Sequence, residues 1–202
     1  TRSAYDQAAT ALSGKRRTIA RRMADGVCKL LGELGMAGTR LEISIEPCTP
    51  GPNGVDAVEF RIGGHASSSA RPLARVASGG ELSRIGLAIA VLAAQSTPVP
   101  TLIFDEADAG VGGAVAEVIG NLMRRLGASR QVLCVTHLPQ VASRAHQQLK
   151  VSRDQRPDGV TSRVQSLGRA ERVEEIARML GGVEITSTTR KHAREMLASQ
   201  TD

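Results

Sequence analysis

Apolar residues recur at Ile19, Met23, Val27, Leu30 and Leu34, at steps of four, four, three and four. Those steps trace one face of a helix, so a single long helix is expected from about Tyr5 to Met36, ended by Gly35 and Gly38. Basic residues Lys15, Arg16, Arg17, Arg21, Arg22 and Lys29 lie between the apolar ones. They form either a solvated face on a packed helix or a contact for a polyanion. The period then drops to two. Leu41-Glu42-Ile43-Ser44-Ile45-Glu46 and Val55 to Ile62 alternate apolar and polar, which predicts an antiparallel hairpin turning through Pro47 to Gly54. Gly63 to Arg75 reads as a loop. A helical pattern resumes from Glu81 to Gln95, with Leu82, Ile85, Ile89 and Leu92 on one face, until Thr97-Pro98-Val99-Pro100 breaks it.

Thr101 to Phe104 and Gln131 to Thr136 are short apolar runs of the kind found in buried parallel strands. A helix between them, roughly Ala114 to Leu126 and opened by Gly112-Gly113, makes a parallel βαβ unit. A short helix follows near Leu138 to Ala145, then a hairpin of Leu149–Ser152 and Val160–Leu167 about an Asp-Gly turn, then helices at Arg172–Leu180 and Thr188–Ser199. No internal repeat or low-complexity tract is present. The expected fold class is α/β, a parallel βαβ core with flanking β-hairpins and a long N-terminal helix.

Composition narrows the function classes. The 202 residues are 41% hydrophobic but only 1% aromatic, so the core is built from Val, Leu, Ile, Ala and Met. Stacking platforms for single-stranded nucleic acid are absent. A formal net charge of +6 and a pI near 9.9 are compatible with a polyanionic partner. Cys28, Cys48 and Cys134 form no C-x-x-C pair and leave an odd number, which fits reduced thiols in a cytoplasmic setting. No run approaches the roughly 20 apolar residues of a membrane span, and residues 1–15 lack a signal-peptide core. The chain opens on Thr1 directly into helix-like sequence, which suggests a piece of a longer protein.

Three short motifs carry candidate chemistry. Asp105 and Glu106 follow an apolar strand, at the edge where open α/β sheets place ligands. One carboxylate there can hold Mg²⁺ and the other can orient a water for attack on a phosphate, or both can simply cap the next helix. His137 ends the second strand and can donate to a phosphate oxygen, or serve structure alone. His65, His146 and His192 show no partner spacing and read as surface residues. Ser78-Gly79-Gly80-Glu81 sits at a loop-to-helix junction, where Ser78 can cap the helix and the glycines let backbone N–H groups approach an anion. A phosphate-cradling loop, G-x-x-x-x-G-K-[ST], is missing. The one Gly-Lys pair, Gly14-Lys15, is followed by Arg16 and preceded five residues earlier by Ala9.

In combination and in this order, Ser78-Gly79-Gly80-Glu81 resembles the signature motif of ABC-type ATPases, and Leu102 to Glu106 resembles their Walker B strand. Ala107-Asp108-Ala109-Gly110 resembles the D-loop, and His137 the switch histidine. More narrowly, Val76 to Ile85, Thr101 to Glu106, Gln131 to Ala142 and Ala177 to Gly182 resemble the RecN family of bacterial double-strand-break repair proteins, related to the SMC proteins. Ala107 and Ala109 stand where larger aliphatic residues are expected in that family. The resemblance implies a head split by a coiled coil, whose N-terminal lobe carries Walker A and whose C-terminal lobe is this chain. Residues 1–36 would be the coiled coil entering the head and 37–202 the lobe. It further implies ATP and Mg²⁺ as cofactors, with Asp105 on the metal, Glu106 as general base and His137 on the γ-phosphate. Ser78, Gly79, Gly80 and Glu81 would face the nucleotide of a second head in a homodimer, with Asp108 at the shared interface. DNA would be a partner of the whole protein, at the nucleoid, and the lobe alone would be inactive. A non-catalytic DNA-binding or dimerisation module, and a lobe of another SMC-like ATPase, are the competing readings.

Overall fold

The computed structural model describes residues 2–64, 69–75, 78–94, 96, 99–156, 159–181 and 184–199, with the side chains of Asp154 and Arg156 excepted. Its contacts divide the chain into two compact units, Thr1–Val99 and Pro100–Asp202. The boundary expected at residue 36 falls inside the first unit.

That unit is built on α1 (Arg2–Glu33), a hairpin of β1 (Arg40–Gly51) and β2 (Gly54–Gly63), a short β3 (Arg71–Pro72) and α2 (Gly79–Leu92). Helix α1 packs against both hairpin strands and α2. It ends as expected: Gly35 and Gly38 take φ of 75° and 84°, and the Met36 N–H donates to the Leu31 carbonyl at 2.9 Å, a Schellman closure. Its buried stripe is Ala9, Ser13, Ala20, Val27 and Leu31, and Ile19 is 60% exposed. The expected stripe thus shifts by one residue over the first half of the helix. Stepping back from Val27 at 3.6 residues per turn reaches 23, 20, 16, 13 and 9, so the positions buried there are the small Ala20, Ser13 and Ala9 and not the larger Ile19. The hairpin turn sits on the same face. The Tyr5 hydroxyl donates to the Gly51 and Gly54 carbonyls at 3.0 and 3.2 Å, and the Ser13 hydroxyl donates to Asp56 at 2.6 Å. Together with Arg16 at 3.2 Å, this hydroxyl holds the Asp56 carboxyl below its ordinary range.

The hairpin is longer than the sequence suggests. Strand β1 runs through Pro47–Gly51, and its register shifts between those two residues, so only Pro52 and Asn53 are left to turn. The irregularity accommodates two prolines that cannot donate to a ladder. The expected face of α2 is also corrected. Leu82 and Leu92 are each 44% exposed, while Gly80, Arg84, Ile85, Leu87 and Ala88 are buried. Helix α2 is apolar nearly all round, so its hydrophobic positions do not by themselves select a face.

The second unit begins with β4 (Thr101–Phe104), α3 (Gly113–Gly127), β5 (Gln131–Cys134) and α4 (Pro139–Arg144). Strands β4 and β5 pair in parallel, Thr101 with Gln131 through Phe104 with Cys134, which is the expected βαβ unit. Helix α3 packs on β5 and on α4. A Cβ at Gly120 would lie 2.9 Å from Arg144 Cγ and 3.2 Å from the Gln140 carbonyl oxygen, so only glycine allows the two helices this close. A hairpin of β6 (Leu149–Arg156) and β7 (Gly159–Ser166) follows, then α5 (Arg169–Gly181) and α6 (Ser187–Ala198). The Asp158 of its expected turn, and His65, lie outside the described residues. Lys150 meets the buried Glu175 at 2.6 Å, and Arg178 meets the same carboxylate at 2.6 Å, tying the hairpin to α5. Both cations hold the Glu175 carboxyl below its ordinary range, Arg178 foremost. Ala142, Ile176, Ala177 and Ala193 form the core shared by α4, α5 and α6.

The shifted stripe on α1 has a direct test. Leu31→Ala removes a fully buried side chain and is expected to cost about 3 kcal/mol in urea unfolding. Ile19→Ala is expected to stay within about 0.5 kcal/mol of the parent. A larger loss from Ile19→Ala would reverse the assignment of the face.

Candidate functional site

Because β4 and β5 are parallel, their carboxyl ends emerge at the same sheet edge. Asp105 and Glu106 leave β4 there, and Thr136 and His137 leave β5 there after Val135, whose N–H still bonds the Phe104 carbonyl at 3.0 Å. Asp105 and Glu106 are exposed, as is the His137 side chain at 71%. The edge therefore presents two carboxylates and an imidazole to solvent, a set able to take a cation and a phosphate oxygen.

Glu106 has φ of 57°, the one non-glycine residue with positive φ among the described residues. A left-handed glutamate costs roughly 1–2 kcal/mol and persists only where surrounding structure imposes it. The turn that imposes it is closed by the Ala109 N–H, which donates to the Glu106 carbonyl at 3.0 Å, and is seated on Ala107, which is fully buried.

Asp108 turns inward and is 2% exposed. Its carboxylate accepts the Thr136 hydroxyl, and the same Oδ2 lies 3.6 Å from His137 Nδ1. The carboxylate expected at an interface with a second head is thus engaged within its own chain. Thr136 is the residue the sequence reading missed; the available signal was a hydroxyl ending an apolar strand directly before the histidine. Beneath the edge, burial and then the charges of Asp108 and Asp105 push the Cys134 thiol up to about 12. It stays protonated near neutral pH and is no nucleophile there.

In the first unit, Ser78 caps α2, its hydroxyl accepting the Glu81 N–H at 3.4 Å, a Ser-x-x-Glu arrangement as expected. Ser78, Gly79 and Glu81 are exposed and Gly80 is buried. Val76 and Ala77 of the motif, and Gly182 of the last matching segment, lie outside the described residues. His146 and His192 are exposed, as expected.

Among the described residues the parallel strands are covered on one face only. Leu102, Phe104, Val132 and Cys134 point to the side on which α3 packs. On the opposite side Ile103 is 70%, Leu133 43% and Val135 65% exposed. Among the described residues β4 and β5 pair only with each other. The outer face of the β6–β7 hairpin, Leu149, Val151, Val160 and Val164, is likewise exposed.

The fold is that of an Smc head domain. It matches the Smc head domain with a coiled coil and joint from Pyrococcus yayanosii at a TM-score of 0.57 and 23% identity, over 80% of this chain and 29% of that one. It also matches, at a TM-score of 0.52 and 18% identity over 86% of this chain and 99% of that one, a chain described under ATP-driven dimerization and DNA-stimulated activation of SMC ATPases. No protein-family model matches the chain. Curated relatives do. The DNA repair protein RecN of Xylella fastidiosa strain 9a5c is 46% identical over 197 residues, 96% of this chain and 35% of that protein. RecN of Haemophilus influenzae strain KW20 is 43% identical over 94% of this chain and 34% of its own length, and RecN of Bacillus subtilis strain 168 is 36% identical over 90% and 34%. The chain spans about a third of the length of these relatives.

The φ of Glu106 yields a prediction. Glu106→Gly is expected to raise unfolding stability by about 1 kcal/mol, since glycine adopts that conformation without strain. Denaturant midpoints measure it, and a drop in stability would show that the backbone there is not strained.

Proposed function

We propose that this chain is the C-terminal lobe of a RecN-type ATPase head, which hydrolyses ATP once joined to a Walker A lobe and a second head, in DNA double-strand-break repair. The observation that carries the reading is the parallel register of β4 and β5, which delivers Asp105, Glu106 and His137 to one edge. The uncovered apolar face beside that edge supports a missing lobe. Ile103, Leu133 and Val135 are residues for a sheet covered on both sides, and the chain covers one.

In this reading Asp105 is the residue that would hold Mg²⁺. An exposed single carboxylate suits a cation that keeps several waters and takes its remaining ligands from nucleotide phosphates. When bound, Mg²⁺ neutralises charge on the β- and γ-phosphate oxygens. Glu106 accepts a proton from, or orients, the attacking water, and the backbone turn at 106–109 fixes where its carboxylate starts. His137 donates to a γ-phosphate oxygen. Ser78, Gly79, Gly80 and Glu81 face the nucleotide of the second head, where the amino end of α2 favours an anion. Residues 107–110 line the shared interface, with Asp108 as their inward anchor. Residues 1–36 are the coiled coil entering the head, and the whole protein works at the nucleoid in the cytoplasm. No helix of the described residues is long and apolar enough to cross a membrane.

DNA is a proposed partner of the whole protein. The exposed Lys15, Arg17, Arg21, Arg22 and Lys29 on α1 offer phosphate contacts, whereas Arg16 is already committed to Asp56.

The purified chain alone is expected to show no magnesium-dependent ATP turnover. Mixing it with a lobe bearing the phosphate loop should restore turnover, and Glu106→Gln should then lower it by about 100-fold or more while leaving nucleotide-driven head association intact. Hydrolysis by the lone chain at the rate of the joined head would contradict the reading.

A further inference from the structure

We propose that the Asp108–Thr136 hydrogen bond is a latch between the two catalytic-edge loops, making Asp108 and Thr136 positioning residues for His137. The inference rests on the ATPase reading and assigns those two residues a task within it. Thr136 has one hydroxyl proton and two lone pairs. Its oxygen accepts the Leu138 N–H at 3.0 Å, and its proton goes to the Asp108 carboxyl, the nearer of its two acceptors, the other being the Leu138 carbonyl at 3.4 Å. The first bond folds the backbone around His137 into a Ser/Thr-type turn. The second fixes that turn to the loop that begins with Asp105 and Glu106.

The arrangement explains why a carboxylate is buried at this point. A buried polar group without a hydrogen bond is costly, so the Asp108 carboxyl at 2% exposure needs a partner, and Thr136 supplies one. The same oxygen faces His137 Nδ1 at 3.6 Å, beyond hydrogen-bond length but close enough to favour one side of the ring. His137 itself is 71% exposed, with little packing to fix its direction. Its orientation therefore depends on its backbone, and the backbone on Thr136. Any movement of the 107–110 loop is passed to His137 through one hydrogen bond. That makes the loop and the histidine a coupled pair within a single head.

Thr136→Val keeps the shape and removes the hydroxyl. In this chain, the latch predicts at least about tenfold faster amide hydrogen exchange at Leu138 both in Thr136→Val and in Asp108→Ala, with slow exchange restored by Thr136→Ser. In the joined head Thr136→Val is expected to lower kcat by about 10- to 100-fold with KM for ATP little changed. Thr136→Ser should restore kcat, and Asp108→Ala with Thr136→Val should be no worse than the more damaging single change. Unchanged Leu138 exchange in Asp108→Ala overturns the latch, as do additive losses in the double variant or failure of serine to rescue. If the unmodified joined head does not hydrolyse ATP, the ATPase reading falls, and the exchange measurement still decides the latch.

Discussion

Four residue pairs in parallel register, Thr101–Gln131 to Phe104–Cys134, are the constraint on which the rest of this lobe depends. Parallel strands require a crossover, here α3, and the crossover brings both carboxyl ends to one edge. From that follow the proximity of the acids to the histidine, the inward turn of Asp108 and its bond to Thr136. A sheet of two parallel strands is a small platform by itself, since such sheets are ordinarily buried on both faces. Here one face rests on α3, and the other leaves Ile103, Leu133 and Val135 in solvent. The chemistry of the edge and the incompleteness of the sheet are two aspects of the same arrangement.

The similarities to known proteins are consistent with this arrangement. Relatives named RecN match almost the whole chain while the chain covers about a third of each, and the heads it resembles in fold belong to SMC proteins. A lobe with acids and a histidine but no phosphate-cradling loop has the residues to complete another lobe's site. It lacks the backbone amides and lysine that would hold the β-phosphate. In the proposed reading such a division would let ATP join the two lobes, and the strained turn at Glu106 belongs to the half proposed to act on the water.

Much of this was legible in the sequence, and the failures have physical causes. The strand pair, the hairpins, the helix ends at Gly35 and Ser78, and the acids and histidine at strand ends follow from period and punctuation. The stripe on α1 was misplaced because large side chains were weighted over small ones, whereas close packing on the hairpin selects Ala9, Ser13 and Ala20. The face of α2 was misread because leucine and isoleucine surround that helix, and packing alone chooses Ile85 and Leu87 over Leu82 and Leu92. The reach of β1 through Pro47 and Pro50 depends on a register shift that no local signal encodes. The Asp108–Thr136 bond is a tertiary fact. It joins residues 28 positions apart, a separation at which sequence pattern carries no pairing information.

In the proposed reading a second lobe completes the open face and edges of β4 and β5. Amide hydrogen exchange of residues 101–104 and 131–135 tests it most directly, in the chain alone and in the presence of the family segment that bears the phosphate-binding loop. The account predicts that protection of these amides rises at least about tenfold when the segments combine. Unchanged exchange there, with the added segment folded and binding nucleotide, would contradict it.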